Sequence, residues 1–174
     1  MTKFLVEELG LKYSLADKCA FFSPGSWDLI IAVYVDDVII ADEMTAEKAI
    51  EKIKSRFDIH DYLECSEYLG MRINMAEDAV EINQTKYIEE VLERFGMKDC
   101  NPTKSPMDVF EDFSKYARNG TVPVKELLGC LNFLATRTRP DISVCISHLG
   151  SFADEPTTEL WKAAKRVLRY LFGY

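Results

Sequence analysis

The feature that most constrains this chain is the segment LIIAVYVDDVIIAD, residues 29 to 42. Two apolar runs, rich in the aliphatic and β-branched residues that favour strands, flank the adjacent acids Asp36 and Asp37. The pattern predicts an antiparallel hairpin whose bend carries both carboxylates. Charged side chains are rarely buried without a partner, so this pair indicates a role other than packing.

Adjacent carboxylates repel each other, and a cation between them relieves that repulsion. Mg²⁺ is suited to this position because it accepts one or two carboxylates and keeps its other positions for water and substrate phosphates. The pair Asp36 and Asp37 therefore predicts a divalent-metal site for phosphoryl transfer. A solvated hairpin turn is the alternative, since Asp is a common turn residue.

The first half of the chain mixes short strands with helices. Phe4, Leu5 and Leu9 have helical spacing, KCAFF and LIIAVYV have strand character, and SEYLGMRINM and AVEINQ flank a polar turn. Strands and helices do not alternate as βαβ units here, which predicts an α+β fold with antiparallel sheets. We assign this region to residues 1–83.

Helical periodicity dominates residues 84–174. A first apolar stripe covers Tyr87 to Phe95, and residues 97–122, which contain Pro102 and Pro106, are predicted to form a long loop. Three further helices are predicted at about residues 124–136, 141–152 and 156–171. The second region is therefore expected to be α-helical.

Charge is distributed unevenly along the chain. The net charge is −8, yet residues 123–174 hold seven basic and five acidic residues while residues 1–122 hold 14 and 24. The C-terminal region is thus the better candidate for phosphate contact. Five scattered cysteines without a CxxC pair, and no apolar run of roughly 18 residues, lead us to expect an intracellular protein that does not enter membranes.

Several segments together resemble one family. YVDD within AVYVDDVIIAD is similar to the catalytic turn of reverse transcriptases, in the form found in Ty1/copia-type retrotransposon Pol polyproteins. The segment before it is FLVEELGLKYSLADKCAFF. Four segments follow it, in this order: SEYLGMRI, INQTKYIEEVLERFGM, GCLNFLATRTRPDIS and LWKAAKRVLRYLFGY. These segments resemble successive blocks of that family in the family's order. Nearly the whole chain is covered.

The resemblance implies an RNA-directed DNA polymerase in which a palm subdomain holds two Mg²⁺ (or Mn²⁺) ions with three carboxylates. Asp36 and Asp37 match two of them. The third comes, in the family, from a block resembling LDVKTAFLNG, and this sequence contains no such block. The fingers and the RNase H domain also have no counterpart. We therefore expect a partial palm followed by thumb-like helices, with weak metal binding and no polymerase activity alone.

The resemblance also implies contacts with an RNA/DNA primer–template. EYLGMRI is similar to the hairpin that grips the primer, and the last helix carries a basic face. A bulged strand and a solvated helix face are the respective alternatives. The predicted nucleic-acid-binding residues are Tyr34, Leu69, Gly70, Lys162, Lys165, Arg166 and Arg169.

Two other functions stay open at this point. The chain could be a non-enzymatic module descended from the polymerase, with a protein partner or self-association through palm surface that the fingers would otherwise cover. It could also bind nucleic acid without chemistry, through its basic helix. Light scattering tests the first, and the salt dependence of nucleic-acid binding tests the second.

Overall fold

The computed structural model describes residues 1–25, 28–42, 46–60, 65–108 and 110–174. These residues form two compact units, Met1–Tyr68 and Leu69–Tyr174. Strands and helices occur in both units without βαβ repetition, so the described chain is α+β. No described helix has the length and apolar character needed to cross a membrane.

Within its described residues, the first unit contains two helices and five short strands. They are α1 (Thr2–Glu7), β1 (Lys12–Tyr13), β2 (Ala20–Phe22), β3 (Leu29–Tyr34), β4 (Asp37–Asp42), α2 (Ala46–Arg56) and β5 (Glu67–Tyr68). Gly10 follows α1 with a φ of 69°, a conformation that glycine adopts without steric cost. The opening helix and the strands predicted from KCAFF and LIIAVYV are confirmed.

Strands β1 to β4 form one antiparallel sheet in sequential order. Phe21 pairs with Ile31, which pairs with Ile40, and these three side chains lie on the face that packs into the core with Leu5 and Ile53. Because neighbouring strand residues point to opposite faces, the other face carries Ala20, Ala32 and Ile39. The core of this unit therefore lies between one sheet face and the two helices.

The second unit begins with a hairpin and continues with helices. Its elements are β6 (Met71–Met75), β7 (Val80–Asn83), α3 (Thr85–Arg94), α4 (Val124–Arg137), α5 (Ser143–Gly150) and α6 (Thr158–Phe172). Short 3₁₀ turns lie at Phe113–Lys115 and Pro140–Ile142. The latter occupies the start of the helix predicted at residue 141, because Pro140 favours a first turn without an N–H donor.

The core of the second unit is formed by the apolar faces of its helices. Leu131 and Leu134 of α4 and Leu160 and Leu168 of α6 are fully buried. Thr157 caps α6, since its hydroxyl oxygen accepts a hydrogen bond from the Leu160 amide at 3.0 Å. These contacts fix the position of α6 against α4 within the unit.

The structural division falls earlier than the sequence-based boundary after residue 83. The β6–β7 hairpin lies in the helical unit, although the sequence pattern grouped it with the preceding strands. The physical reason is that two contacts join the turn before β6 to α4 and its C-terminal end. The ring of Phe133 lies beside Gly70, and the buried side chain of Gln84 joins Gly70 to Thr138.

Candidate functional site

The turn between β3 and β4 consists of Val35 and Asp36, because Tyr34 pairs with Asp37 across the hairpin. Val35 has a φ of 55°, in the left-handed region that β-branched residues strongly avoid. Two-residue hairpins with a positive φ at the first turn position usually have Gly, Asn or Asp there. Val35 is therefore a strained residue directly beside the acidic pair, and strain of this kind often accompanies functional turns.

Asp36 and Asp37 lie at the end of the hairpin with exposed side chains. No described side chain forms a hydrogen bond or ion pair with either carboxylate. Val38 packs against the core, so the alternation along β4 places Asp37 on the opposite face, with Tyr34 as its partner on β3. Tyr34 is 51% exposed. The turn thus presents two carboxylates to solvent, with the half-exposed side chain of Tyr34 beside them.

The two carboxylates fit part of a metal site. Anionic oxygens are the ligands that Mg²⁺ and Mn²⁺ prefer, and nothing described competes for them. Among the described residues, no cluster of three or more His, Cys, Asp or Glu side chains could enclose a metal ion.

Tyr68, in β5, is a residue near the acidic turn that the sequence analysis missed. Burial raises the pKa of its phenol, and the negative charge of Asp37 raises that pKa further. Tyr68 and Asp37 are therefore close enough to interact electrostatically. The only sequence signal was the position of Tyr68 within EYLG, where strand character alone explained it.

The second unit begins with Leu69 and Gly70. Both have backbone angles in the left-handed region, with φ values of 50° and 75°. A methyl group added to Gly70 would lie 3.3 Å from Cζ of Phe133 on α4. Gly70 is exposed and Leu69 is half-buried. The backbone at Gly70 was predicted to lie close to another group. In the structure that group is the ring of Phe133.

Gln84 ties this turn to the end of α4 and is only 3% exposed. Its amide nitrogen lies 3.5 Å from the Gly70 carbonyl oxygen, and its amide oxygen accepts a hydrogen bond from the Thr138 hydroxyl at 2.8 Å. Buried amides persist where such partners satisfy them. Sequence periodicity treated Gln84 as the residue before α3, so its buried role was missed.

The family model described as reverse transcriptase (RNA-dependent DNA polymerase) matches residues 1–109. The retrovirus-related Pol polyprotein from transposon TNT 1-94 of Nicotiana tabacum is 32% identical over 98% of this chain and 14% of its own length. The corresponding polyprotein from transposon RE1 of Arabidopsis thaliana is 31% identical over 95% of this chain and 12% of its own length.

The chain belongs to the reverse transcriptase family of copia-type retrotransposons. The family predicted from the sequence blocks is confirmed. The chain spans about one seventh of the length of these polyproteins. It is also 30% identical to an uncharacterized mitochondrial protein of Arabidopsis thaliana, over 83% of this chain and 62% of that protein. No solved structure matches the chain significantly.

In this reverse transcriptase chain, two of the four predicted α6 cations contact the loop before α4. The guanidinium of Arg166 forms an ion pair with Asp108 at 2.5 Å, and Nε of Arg169 donates to the Asn101 carbonyl at 2.7 Å. The Arg169 carbonyl in turn accepts a hydrogen bond from the Thr103 amide at 3.2 Å. Arg169 is therefore held from both its side chain and its backbone.

The other two predicted cations are less constrained. The ammonium group of Lys162 lies 3.8 Å from a carboxylate oxygen of Glu159, and both side chains are on the surface of α6. Lys165 lies over the Trp161 ring at 5.4 Å from its centroid. An exposed pair of this type adds little stability, so the contact with Glu159 constrains Lys162 only weakly.

Proposed function

We propose that this chain forms part of the nucleotidyl-transfer site of a copia-type reverse transcriptase, with Asp36 and Asp37 as ligands of divalent cations. The observation that supports this most directly is the acidic turn itself. Its two adjacent carboxylates are exposed at the end of a strained hairpin, and no described side chain neutralises them. In such polymerases the first unit corresponds to part of the palm, and the helices of the second unit to a thumb-like region.

Bound Mg²⁺ or Mn²⁺ would lower the barrier to attack by the primer 3′-hydroxyl and neutralise charge on the triphosphate. The contribution of this chain is to hold Asp36 and Asp37 at a hairpin turn where both carboxylates are accessible. The sequence contains no block matching the family's third carboxylate. We therefore propose that the 174-residue chain alone binds metal weakly and does not extend a primer, since catalysis requires closely aligned groups.

The proposed partner is an RNA/DNA primer–template duplex. In the first unit, the candidate contact with the duplex is Tyr34, beside the acidic turn. In the hairpin that resembles the primer grip, the candidate contact is the exposed backbone of Gly70. Lys162 and Lys165 are the candidate phosphate contacts on α6, while Arg166 and Arg169 also stabilise the loop that they bind. Phosphate contacts of this kind position the duplex without reading its sequence.

A chimeric polymerase tests the proposal. This chain would replace the matching segment of a complete copia-type Pol polyprotein, and primer extension on an RNA template would be measured with Mg²⁺. We expect activity from the chimera and a loss of more than about 100-fold for Asp36→Asn or Asp37→Asn, because metal ligands would be removed. Asp28→Asn, at another exposed acid, is the control and should remain active. Activity of the Asp36→Asn and Asp37→Asn chimeras equal to the control would refute the proposal.

Self-association through exposed palm surface stays a prediction. The β6–β7 hairpin exposes Met75, Val80 and Ile82, and Met75 pairs with Val80 across it. Ile82 lies on the same face, because it is two residues from Val80. Light scattering over a range of concentrations tests this: a constant monomer mass would contradict self-association.

A further inference from the structure

The motif TRTRPD contains two arginines with different environments. Arg139 forms a bidentate ion pair with Asp141, at 3.0 Å and 2.8 Å, and its side chain is only 16% exposed. Arg137, in the last turn of α4, is exposed. Its guanidinium lies over the ring of Phe133, 5.8 Å from the centroid, and no carboxylate among the described residues pairs with it. Arg139 is therefore committed to the fold, whereas the charge of Arg137 is not.

Phe133 joins Arg137 to the turn that precedes β6. The Cζ atom of this ring lies 3.3 Å from the position that a methyl group on Gly70 would occupy. The ring of Tyr87 supports Phe133 in an edge-on contact, with 5.0 Å between the centroids. The exposed Gly70 backbone and the exposed guanidinium thus lie against one fixed aromatic ring.

The turn and the end of α4 are also connected through Gln84, which contacts the Gly70 carbonyl and the Thr138 hydroxyl. Thr138 directly follows Arg137 in the sequence. The end of α4 that carries Arg137 and the Leu69–Gly70 turn are therefore held together before any ligand arrives. Such preorganisation reduces the entropy lost on binding.

On the basis of the proposed function, we infer that Arg137 contacts a backbone phosphate of the primer–template beside the Leu69–Gly70 turn. This position adds to the cations predicted on α6. A guanidinium is planar and presents N–H groups in a fork that matches two phosphate oxygens, and the cation–π contact with Phe133 leaves these groups available. The charge distribution agrees, because residues 123–174 carry an excess of basic over acidic residues.

Fluorescence anisotropy with a labelled RNA–DNA primer–template tests the inference. The intact chain, Arg137→Gln, Arg137→Lys and Lys104→Gln would be titrated at several salt concentrations. Lys104→Gln is the matched control, since Lys104 is another exposed cation with no partner among the described residues. Circular dichroism would verify that each variant is folded.

We expect Arg137→Gln to weaken binding several-fold and to reduce the slope of log K against log salt by about one, because one phosphate contact is lost. Arg137→Lys should keep the slope and lose part of the affinity, since an ammonium group cannot contact two phosphate oxygens as a planar fork does. Lys104→Gln should match the intact chain. Equal slopes for Arg137→Gln and Lys104→Gln would overturn the inference and leave the proposed function intact. No duplex binding by the intact chain would overturn the inference and also the proposed nucleic-acid partner.

Discussion

Two turns of this chain, Val35–Asp36 and Leu69–Gly70, place a bulky aliphatic residue in the left-handed region. The surroundings of the two turns differ. The Leu69–Gly70 turn is fixed by the Phe133 ring and by Gln84. The Val35–Asp36 turn is connected to its unit through the pairing of β3 with β4, and its carboxylates face solvent.

Similar backbone strain thus occurs in two different surroundings. At the second turn, strain is offset by contacts with α4, and the turn becomes a rigid surface. At the first turn, strain accompanies two exposed charges that have no described partner. Features that cost stability without local compensation are typical of functional sites.

Among substitutions near the Leu69–Gly70 turn, the largest effect is expected from Gln84→Ala. The substitution leaves the Thr138 hydroxyl and the Gly70 carbonyl without their buried partner, so the second unit should lose about 2 to 3 kcal/mol of unfolding free energy. Urea unfolding followed by Trp161 fluorescence, in a Trp27→Phe background, measures this loss. Asn132→Ala, at an exposed position of α4, is the comparison and should change stability by less than about 0.5 kcal/mol. Equal losses for the two variants would show that Gln84 does not anchor the turn.

Gly70→Ala tests the close approach to Phe133. We expect a loss of about 1 to 2 kcal/mol, because an L-residue is disfavoured at this φ and the new methyl group would crowd the ring. Gly120→Ala is the matched control, since Gly120 has open space around it and no positive φ. The same urea measurement applies, and equal stability of the two variants would show that the ring contact is not restrictive.

Asp141→Asn should lower the unfolding free energy of the second unit by about 1 kcal/mol at neutral pH. The reason is that the partly exposed ion pair with Arg139 and the hydrogen bond donated by the Tyr170 hydroxyl would weaken. The Arg139 guanidinium holds the pKa of Asp141 below its usual range, and the hydrogen bond from Tyr170 adds to this. A carboxyl group with a lowered folded pKa stabilises the fold above its unfolded pKa. Its contribution is lost as pH falls through the folded value.

The difference between Asp141→Asn and the intact chain should therefore be constant above about pH 5 and shrink below about pH 4. Urea unfolding at each pH measures it. A difference that is independent of pH down to about pH 2, below the usual range of aspartate, would show that ionised Asp141 does not contribute through this pair.

The smallest effect is expected from Val35→Gly, which removes the β-branched side chain from the left-handed turn. The hairpin should become more stable by up to about 1 kcal/mol, since relief of steric strain exceeds the added entropy of the unfolded chain. Amide hydrogen exchange of β3 and β4 measures the change. Val80→Gly, in a strand with ordinary backbone angles, should instead increase exchange in its own hairpin.

Much of the fold follows from local patterns in the sequence. The two apolar runs that flank Asp36 and Asp37 predicted the hairpin, and helical periodicity predicted a helix at about residues 124–136, because each pattern reflects segments packed against neighbours. The acidic turn was predicted with its two carboxylates at the bend. The structure adds the strain at Val35, which residue type alone argues against.

The contacts that depend on tertiary packing were not predictable. Arg166 and Arg169 gave a helical charge pattern, but their pairing with Asp108 and Asn101 depends on the path of a loop that has no periodicity. Gln84 and Tyr68 owe their environments to residues distant in sequence. Single-sequence patterns report which face is buried and carry little information about which groups meet there.

We propose that Asp36 and Asp37 together bind a divalent cation. Mn²⁺ titration followed by amide NMR tests it most directly, with the intact chain, the double variant Asp36→Asn/Asp37→Asn, and Asp28→Asn as control, each with and without a primer–template duplex. We predict selective line broadening at residues 34 to 38 in the intact chain and in Asp28→Asn, and its loss in the double variant. Broadening that is absent from this turn, or that persists in the double variant, would contradict the account.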